Sequence, residues 1–141
     1  FGLVIANNAS ISGAEGGCQA EVGSAAAMSA AALVLASGGT PFQASQAICF
    51  VIKNMLGLIC DPVAGLVEVP CVKRNAMGAS YAFIAADMAL AGIESKIPVD
   101  EVIDAMYQVG VSMPTAFRET AEGGLATTPT GRKLSKEIFG D

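Results

Sequence analysis

The feature that most constrains this chain is a run of 31 residues without a charge, Val22 to Ile52, broken only at Gly38-Gly39-Thr40-Pro41. So long an uncharged stretch must be buried somewhere. Two glycines followed by Thr-Pro end one helix and begin another. The first piece, Val22–Ser37, has 16 residues, mostly Ala and Ser, and falls short of the roughly 20 apolar residues that cross a bilayer. The second piece meets Lys53 quickly. The run therefore predicts a pair of buried helices rather than a membrane span, despite a mean hydropathy of +0.54. Thr40 suits the cap, Pro41 the first helical position, and Gln43 closes a capping box. The second helix then extends to about Asn54 or Leu56.

Other elements follow from periodicity and punctuation. Phe1–Ala6 is apolar and of ambiguous type, and Asn7–Gly17 reads as a loop of Asn, Ser and Gly. A helix starts at Cys18 or Gln19 and runs to about Ser37, with apolar residues on all sides, as expected of a central buried element. Gly57–Cys71, carrying Gly57, Pro62, Gly65 and Pro70, is irregular. A third helix spans about Val72 to Ala91. A fourth opens at Pro98 with Asp100 and Glu101, and aligns Val99, Val102, Ile103, Met106 and Val109 on one face. Pro114 opens a shorter fifth, ended by Gly123-Gly124, and Thr128-Pro129 a sixth, through Lys133 to Phe139. No alternating strand pattern persists. The expected fold is all-α: a compact bundle over residues 1–141, with a central Ala-rich helix and cysteine-bearing loops at one end.

Composition narrows the chemistry. The 25 Ala and 16 Gly let backbones approach closely but bury little area per residue, so a partner or cofactor is expected to supplement the core. A net charge of −5 without a basic patch excludes counterion-driven nucleic-acid binding. The absence of His removes Ser-His, Cys-His and His-metal mechanisms from this chain. The chain opens in mid-hydrophobic run at Phe1, without Met, and reads as part of a longer protein. No basic-then-apolar leader is visible, so the four Cys point to a reducing, cytoplasmic setting in which thiols are ligands or core residues.

Three of the cysteines stand at helix starts or in irregular segments. Cys18 follows Gly16-Gly17, Cys60 precedes Asp61-Pro62, and Cys71 follows Pro70. The fourth, Cys49, sits between Ile48 and Phe50 and reads as core. A helix start offers free N–H groups and partial positive charge to a thiolate. Three loop thiolates can hold a metal centre with one position open, as a Lewis-acid catalyst requires. The spacings, 42 and 11 residues, match no standard zinc or ferredoxin run, so inert buried thiols remain the competing reading.

The surrounding residues carry a resemblance. Gly13-Ala14-Glu15-Gly16-Gly17-Cys18-Gln19-Ala20-Glu21-Val22-Gly23, Asn54–Gly65 around Cys60, Val67–Ala76 around Cys71, and the tail Arg118–Ala126 resemble, in order, the cysteine motifs of the α chain of iron–sulfur-dependent L-serine dehydratases. The likeness covers essentially the whole chain and is closest to the two-chain form, as the C-terminal part of α. It implies a helical region and a 4Fe–4S cluster held by three cysteines, which map onto Cys18, Cys60 and Cys71, with one open iron. It implies conversion of L-serine to pyruvate and ammonia without pyridoxal phosphate, and a β chain and N-terminal α segment as partners. A homo-oligomer is left open. Iron binding at the serine hydroxyl would stabilise the departing oxygen while a base removes the α-proton. A related cysteine desulfidase, and a metal-free docking piece, are the alternatives. The family's upstream substrate motif and candidate His base have no counterpart here, and no tail Cys follows Phe139-Gly140-Asp141. Residues 1–141 alone are therefore expected to lack turnover.

Further site candidates stand beside the cysteines. Glu21 is a candidate base or ammonium ligand. Asn7, Asn8, Ser10 and Ser12 are candidate substrate contacts, against a self-satisfied polar loop. Lys73 and Arg74 could offset cluster charge or bind a carboxylate. Asp61 is expected to form a turn with Pro62, and Arg118 to pair with Glu119. The Met residues are read as core filler.

Overall fold

The computed structural model describes residues 1–140. Its helices are α1 (Gly2–Asn8), α2 (Gly13–Gly16), α3 (Ser24–Ala36), α4 (Pro41–Met55), α5 (Cys71–Leu90), α6 (Val99–Ser112) and α7 (Pro129–Phe139), and no strand forms among the described residues. The all-α expectation holds.

The hairpin forms where the punctuation placed it. The Gln43 amide N–H donates to Thr40 Oγ1 at 3.1 Å, and the Thr40 N–H donates to Gln43 Oε1 at 2.9 Å, the reciprocal pair of a capping box. Gln43 Nε2 also donates to the Ala89 carbonyl at 3.1 Å, so one side chain starts α4 and closes the end of α5. α3 packs against both α4 and α5. Small residues make this possible: Ala27, Ala30, Ala44, Ala47 and Ala89 are fully buried, and Ile48, Ile52, Val34 and Val51 fill the space between them. Cys49 is buried in the same core.

α3 is nevertheless not enclosed on all sides. Ala25, Met28, Ala32, Leu35 and Ala36 lie on an exposed face, a departure from the expected central helix. Its first turn also differs. Gln19–Gly23 forms a π-turn that runs into α3. Together Gln19–Ala36 is long and apolar enough to cross a membrane by length and composition, with 56% of it buried within the fold.

Two other expectations are corrected. Asn7 and Asn8 belong to the last turn of α1 and not to a loop, and Gly13–Gly16 adds a further helical turn before Cys18. Pro114 does not open a helix: a single 3₁₀ turn, Thr115–Phe117, gives way to irregular chain in which Glu119 and Ala121 hold positive φ of 67° and 58°. Such conformations interrupt a helix. Gly124, at φ 60°, begins a short turn and does not end a helix.

Candidate metal centre

Cys18, Cys60 and Cys71 come from three separate parts of the chain. Cys18 stands at the entry to the π-turn, after Gly17, whose φ of 74° turns the chain sharply. A Cβ at Gly17 would come within 2.8 Å of the Leu58 carbonyl oxygen, so glycine is required there. Gln19, itself buried, anchors the same corner: its Nε2 donates to the Met106 carbonyl at 2.9 Å, and its Oε1 accepts from the Gly57 N–H at 3.0 Å. Cys60 lies in the irregular 56–70 segment, stitched to the chain after α6. Its N–H donates to the Phe117 carbonyl at 2.9 Å, and its carbonyl accepts from Glu119 N–H at 2.8 Å. Cys71 is the first residue of α5.

The three thiols are free and buried. Cys18 Sγ, Cys60 Sγ and a carboxylate oxygen of Glu21 all lie within 4.8 Å of one another, and the Glu21 side chain is exposed. Cys71 is not part of that set; burial raises its thiol, and the charges of Cys18 and, less strongly, Glu21 raise it further. Gly13 forms one wall. A Cβ there would meet Glu21 Oε2 at 2.8 Å, Cys60 Sγ at 3.3 Å and Glu119 Oε2 at 3.5 Å. The missing side chain leaves a cradle beside the donors, and the donor set is one that soft and borderline metals favour. The residues present therefore fit a thiolate-held metal centre.

The electrostatics run against a free thiolate. Burial pushes the Cys60 thiol well up, and the charges of Cys18, Glu119 and Cys71 push it further. Burial raises Cys71 as well, with Cys18 adding and Arg74 opposing. Helix-start stabilisation of thiolate, expected at Cys71, is thus outweighed by desolvation. Without a cation these sulfurs hold protons, and metal binding must displace them.

Arg74 organises the rim. Its Nη1 donates to the Ile59 carbonyl at 2.8 Å, to Asp61 Oδ1 at 3.1 Å and to Cys18 Sγ at 3.5 Å. Burial opposes its charge, but Cys18 and Asp61 together hold the guanidinium above its usual pKa. Asp61 also accepts from the Leu125 N–H at 2.7 Å, so it ties three segments together and is more than a turn residue. Arg118 makes no ion pair with Glu119 among the described residues; it donates to the Val111 carbonyl at 2.7 Å. Lys73 is exposed beside Arg74, on a cleft of about 570 Å³ that also takes in Asn54, Met77 and Tyr81.

A family profile described as "Serine dehydratase alpha chain" matches residues 1–126. The chain belongs to the serine dehydratase alpha-chain family. It is 74% identical over 140 residues to a probable L-serine dehydratase, alpha chain, of Bacillus subtilis (strain 168), covering 99% of this chain and 47% of that protein. It is 63% identical to a probable L-serine dehydratase, alpha chain, of Latilactobacillus sakei, covering 99% and 67%. The L-serine dehydratase, alpha chain, of Peptoniphilus asaccharolyticus is 58% identical over 139 residues, covering 99% and 48%. The chain thus spans about half to two thirds of the length of these relatives.

Within this serine dehydratase alpha-chain scaffold the remaining sequence candidates divide between the end of α1, with Asn7 and Asn8, and the segment before α2, with Ser10 and Ser12. Ser10 Oγ donates to Glu15 Oε2 at 2.6 Å and accepts from the Ser12 N–H at 3.0 Å, and Ser12 leads directly into Gly13. Asn8 bonds back to the Val4 carbonyl at 2.9 Å and lines a cleft with Asp100, Ile103 and Asp104 on α6. Gln19 and Gly13 have no functional role in the sequence reading, and Glu119 enters it only as a partner for Arg118. Each acts through a residue far along the chain, and a sequence pattern holds no sign of that partner.

Proposed function

We propose that this chain is the cluster-binding part of an iron–sulfur-dependent L-serine ammonia-lyase, a single helical domain that works with a β chain and the remainder of α to convert L-serine to pyruvate and ammonia in the cytoplasm. The observation that carries the reading is the convergence of buried Cys18 and Cys60 with Glu21 at the Gly13 cradle, in a chain of this family. Cys18, Cys60 and Cys71 would hold the 4Fe–4S cluster, which when bound supplies a Lewis-acidic iron for the departing hydroxyl group.

The chain's own groups account for the rest. Gly13 leaves room for a ligand against Cys60. Glu21, exposed beside the thiols, is positioned to hold the serine ammonium group or to accept its α-proton; general-base action is worth about 10²–10⁴ in rate. Arg74 is committed to Cys18 and Asp61 and serves to fix the rim. Ser10 and Ser12 precede the cradle and are the members of the polar segment best placed to reach substrate; Asn7 and Asn8, on α1, are proposed as contacts only through that continuity.

The test uses the full-length protein. Cys18→Ala, Cys60→Ala and Cys71→Ala should each remove the iron–sulfur absorbance near roughly 400 nm and the release of pyruvate from L-serine, whereas Cys49→Ala should keep both. Full activity in Cys60→Ala would overturn the ligand set. Turnover of L-cysteine in preference to L-serine would reassign the scaffold to desulfidation, and absence of iron and sulfide after anaerobic reconstitution would leave only a docking role.

A further inference from the structure

We propose that the uncovered side of α7 is the docking surface for the separate β chain, which meets it with an apolar slot bordered by acidic side chains. This surface is distinct from the cysteine site, and its role rests on the two-chain reading given above.

The fold covers α7 only near its start. The helix packs on two 3₁₀ turns of the irregular half, Val63–Gly65 and Gly124–Thr127. Gly131 is buried there, and a Cβ in its place would strike the Leu125 and Ala126 carbonyls. Leu134, Ser135, Ile138 and Phe139 continue the same stripe at helical spacing. Ser135 is half-buried, but Leu134, Ile138 and Phe139 are 37%, 52% and 59% exposed. Leu66, just after the first turn, and Leu125, within the second, are exposed as well. A contiguous apolar patch rimmed by charge marks an interaction site.

Charge narrows the partner. The chain has a net charge of −5 and only 8 Lys and Arg, yet Arg132, Lys133 and Lys136 stand together on α7 around a cleft of about 590 Å³. Lys133 makes an exposed pair with Glu137 at 3.7 Å, and Arg132 and Lys136 have no acidic partner among the described residues. Acidic residues flanking an apolar slot complement both features. The relatives point to the chain that carries them. Those named as alpha chains match α7 with the rest, over 99% of this chain. The family profile stops at residue 126, before α7, and relatives named L-serine dehydratase without a chain designation match over 127 residues, 89% of this chain. The latter are longer proteins: 127 residues make up 28% of them, against 140 residues and 47% for the Bacillus subtilis alpha chain. A helix that accompanies alpha chains, and lies beyond the match to longer polypeptides, suits a contact between chains that no covalent link holds together.

The test measures the affinity of the full-length α chain for the β chain by interferometry, at low salt and at about 0.5 M salt, where exposed charges are largely screened. Ile138→Asp combined with Phe139→Ser should weaken binding at least about tenfold, as loss of a central apolar anchor does. Lys133→Glu combined with Lys136→Glu should weaken it several-fold at low salt and little at high salt. Phe42→Ser, at the exposed start of α4, should leave affinity within about twofold. Circular dichroism and iron bound per α chain should match wild type throughout, and Phe139→Ser alone repeats the comparison should the double apolar variant not fold. Unchanged β-chain affinity in the α7 variants would overturn the proposal and leave the two-chain reading standing. Altered self-association of α with unchanged β-chain affinity would give this face to a second copy and overturn the proposal likewise. A wild-type α chain that binds no β chain would overturn both.

Discussion

The α3–α4 hairpin and the two irregular segments around Cys60 and Leu125 both bury polar backbone, but by opposite means. In the hairpin the amides beyond the first turn bond within their own helix, the cap is local, and small alanines let apolar side chains interdigitate. In the irregular segments the satisfying partners are remote. Cys60 bonds to Phe117 and Glu119, and Asp61 bonds to Arg74 and Leu125. The hairpin therefore tolerates local change as a fold, whereas the cysteine-bearing half depends on a few long-range polar contacts whose loss releases a whole segment. A metal centre benefits from the second arrangement, because donors distant in sequence are brought to one point.

Asp61→Ala should be the most damaging way to probe this contrast. It removes one partner of a largely buried pair, leaving Arg74 uncompensated and the Leu125 N–H unpaired. A cost of about 3–5 kcal/mol is expected, with metal uptake lost even where helix content survives. Denaturant unfolding and metal analysis together check this, and a variant that still loads metal fully would mean that the rim does not depend on Asp61.

Ile48→Ala attacks the other region. Ile48 is fully buried in α4, and its truncation should cost about 2–4 kcal/mol. Metal bound per folded molecule should stay unchanged, because α4 carries none of Cys18, Glu21, Cys60 and Cys71. Reduced stoichiometry in the folded fraction would show that the two regions are coupled more tightly than their contacts suggest.

The smallest expected effect is an alkaline one. Burial raises the Cys49 thiol above its ordinary value of 9.0, so it stays protonated in the fold while the unfolded thiol ionises. Stability is fully present below pH 9 and declines as pH rises past it. Cys49→Ala should cost on the order of 1 kcal/mol at neutral pH and flatten the alkaline decline by about half a kcal/mol near pH 9. An unchanged slope between pH 7 and 10 would place the alkaline sensitivity elsewhere, at Cys60 or Cys71.

Local pattern was informative wherever local forces decide. The Thr40–Gln43 cap, the Pro98 start of α6 and the end of α5 near Gly92 all follow from side chains bonding to nearby backbone or from glycine tolerating positive φ. Pattern failed at Asn7–Gly17 and after Pro114. In the first, α1 and α2 form because they pack on α6 and the π-turn. In the second, a proline-led helix start is overridden by the pull of Cys60 on Phe117 and Glu119.

The sequence by itself determined an all-α chain, the hairpin, the division of the cysteines into one core thiol and three at helix starts and loops, and the exclusion of histidine chemistry. It did so through propensities, caps and composition, which act within a few residues. Only the tertiary structure decided that Glu21 joins Cys18 and Cys60, that Gly13 leaves the cradle, and that Arg74 and Asp61 brace the rim. Those juxtapositions join residues tens of positions apart, and they arise only when packing brings their segments to the same place.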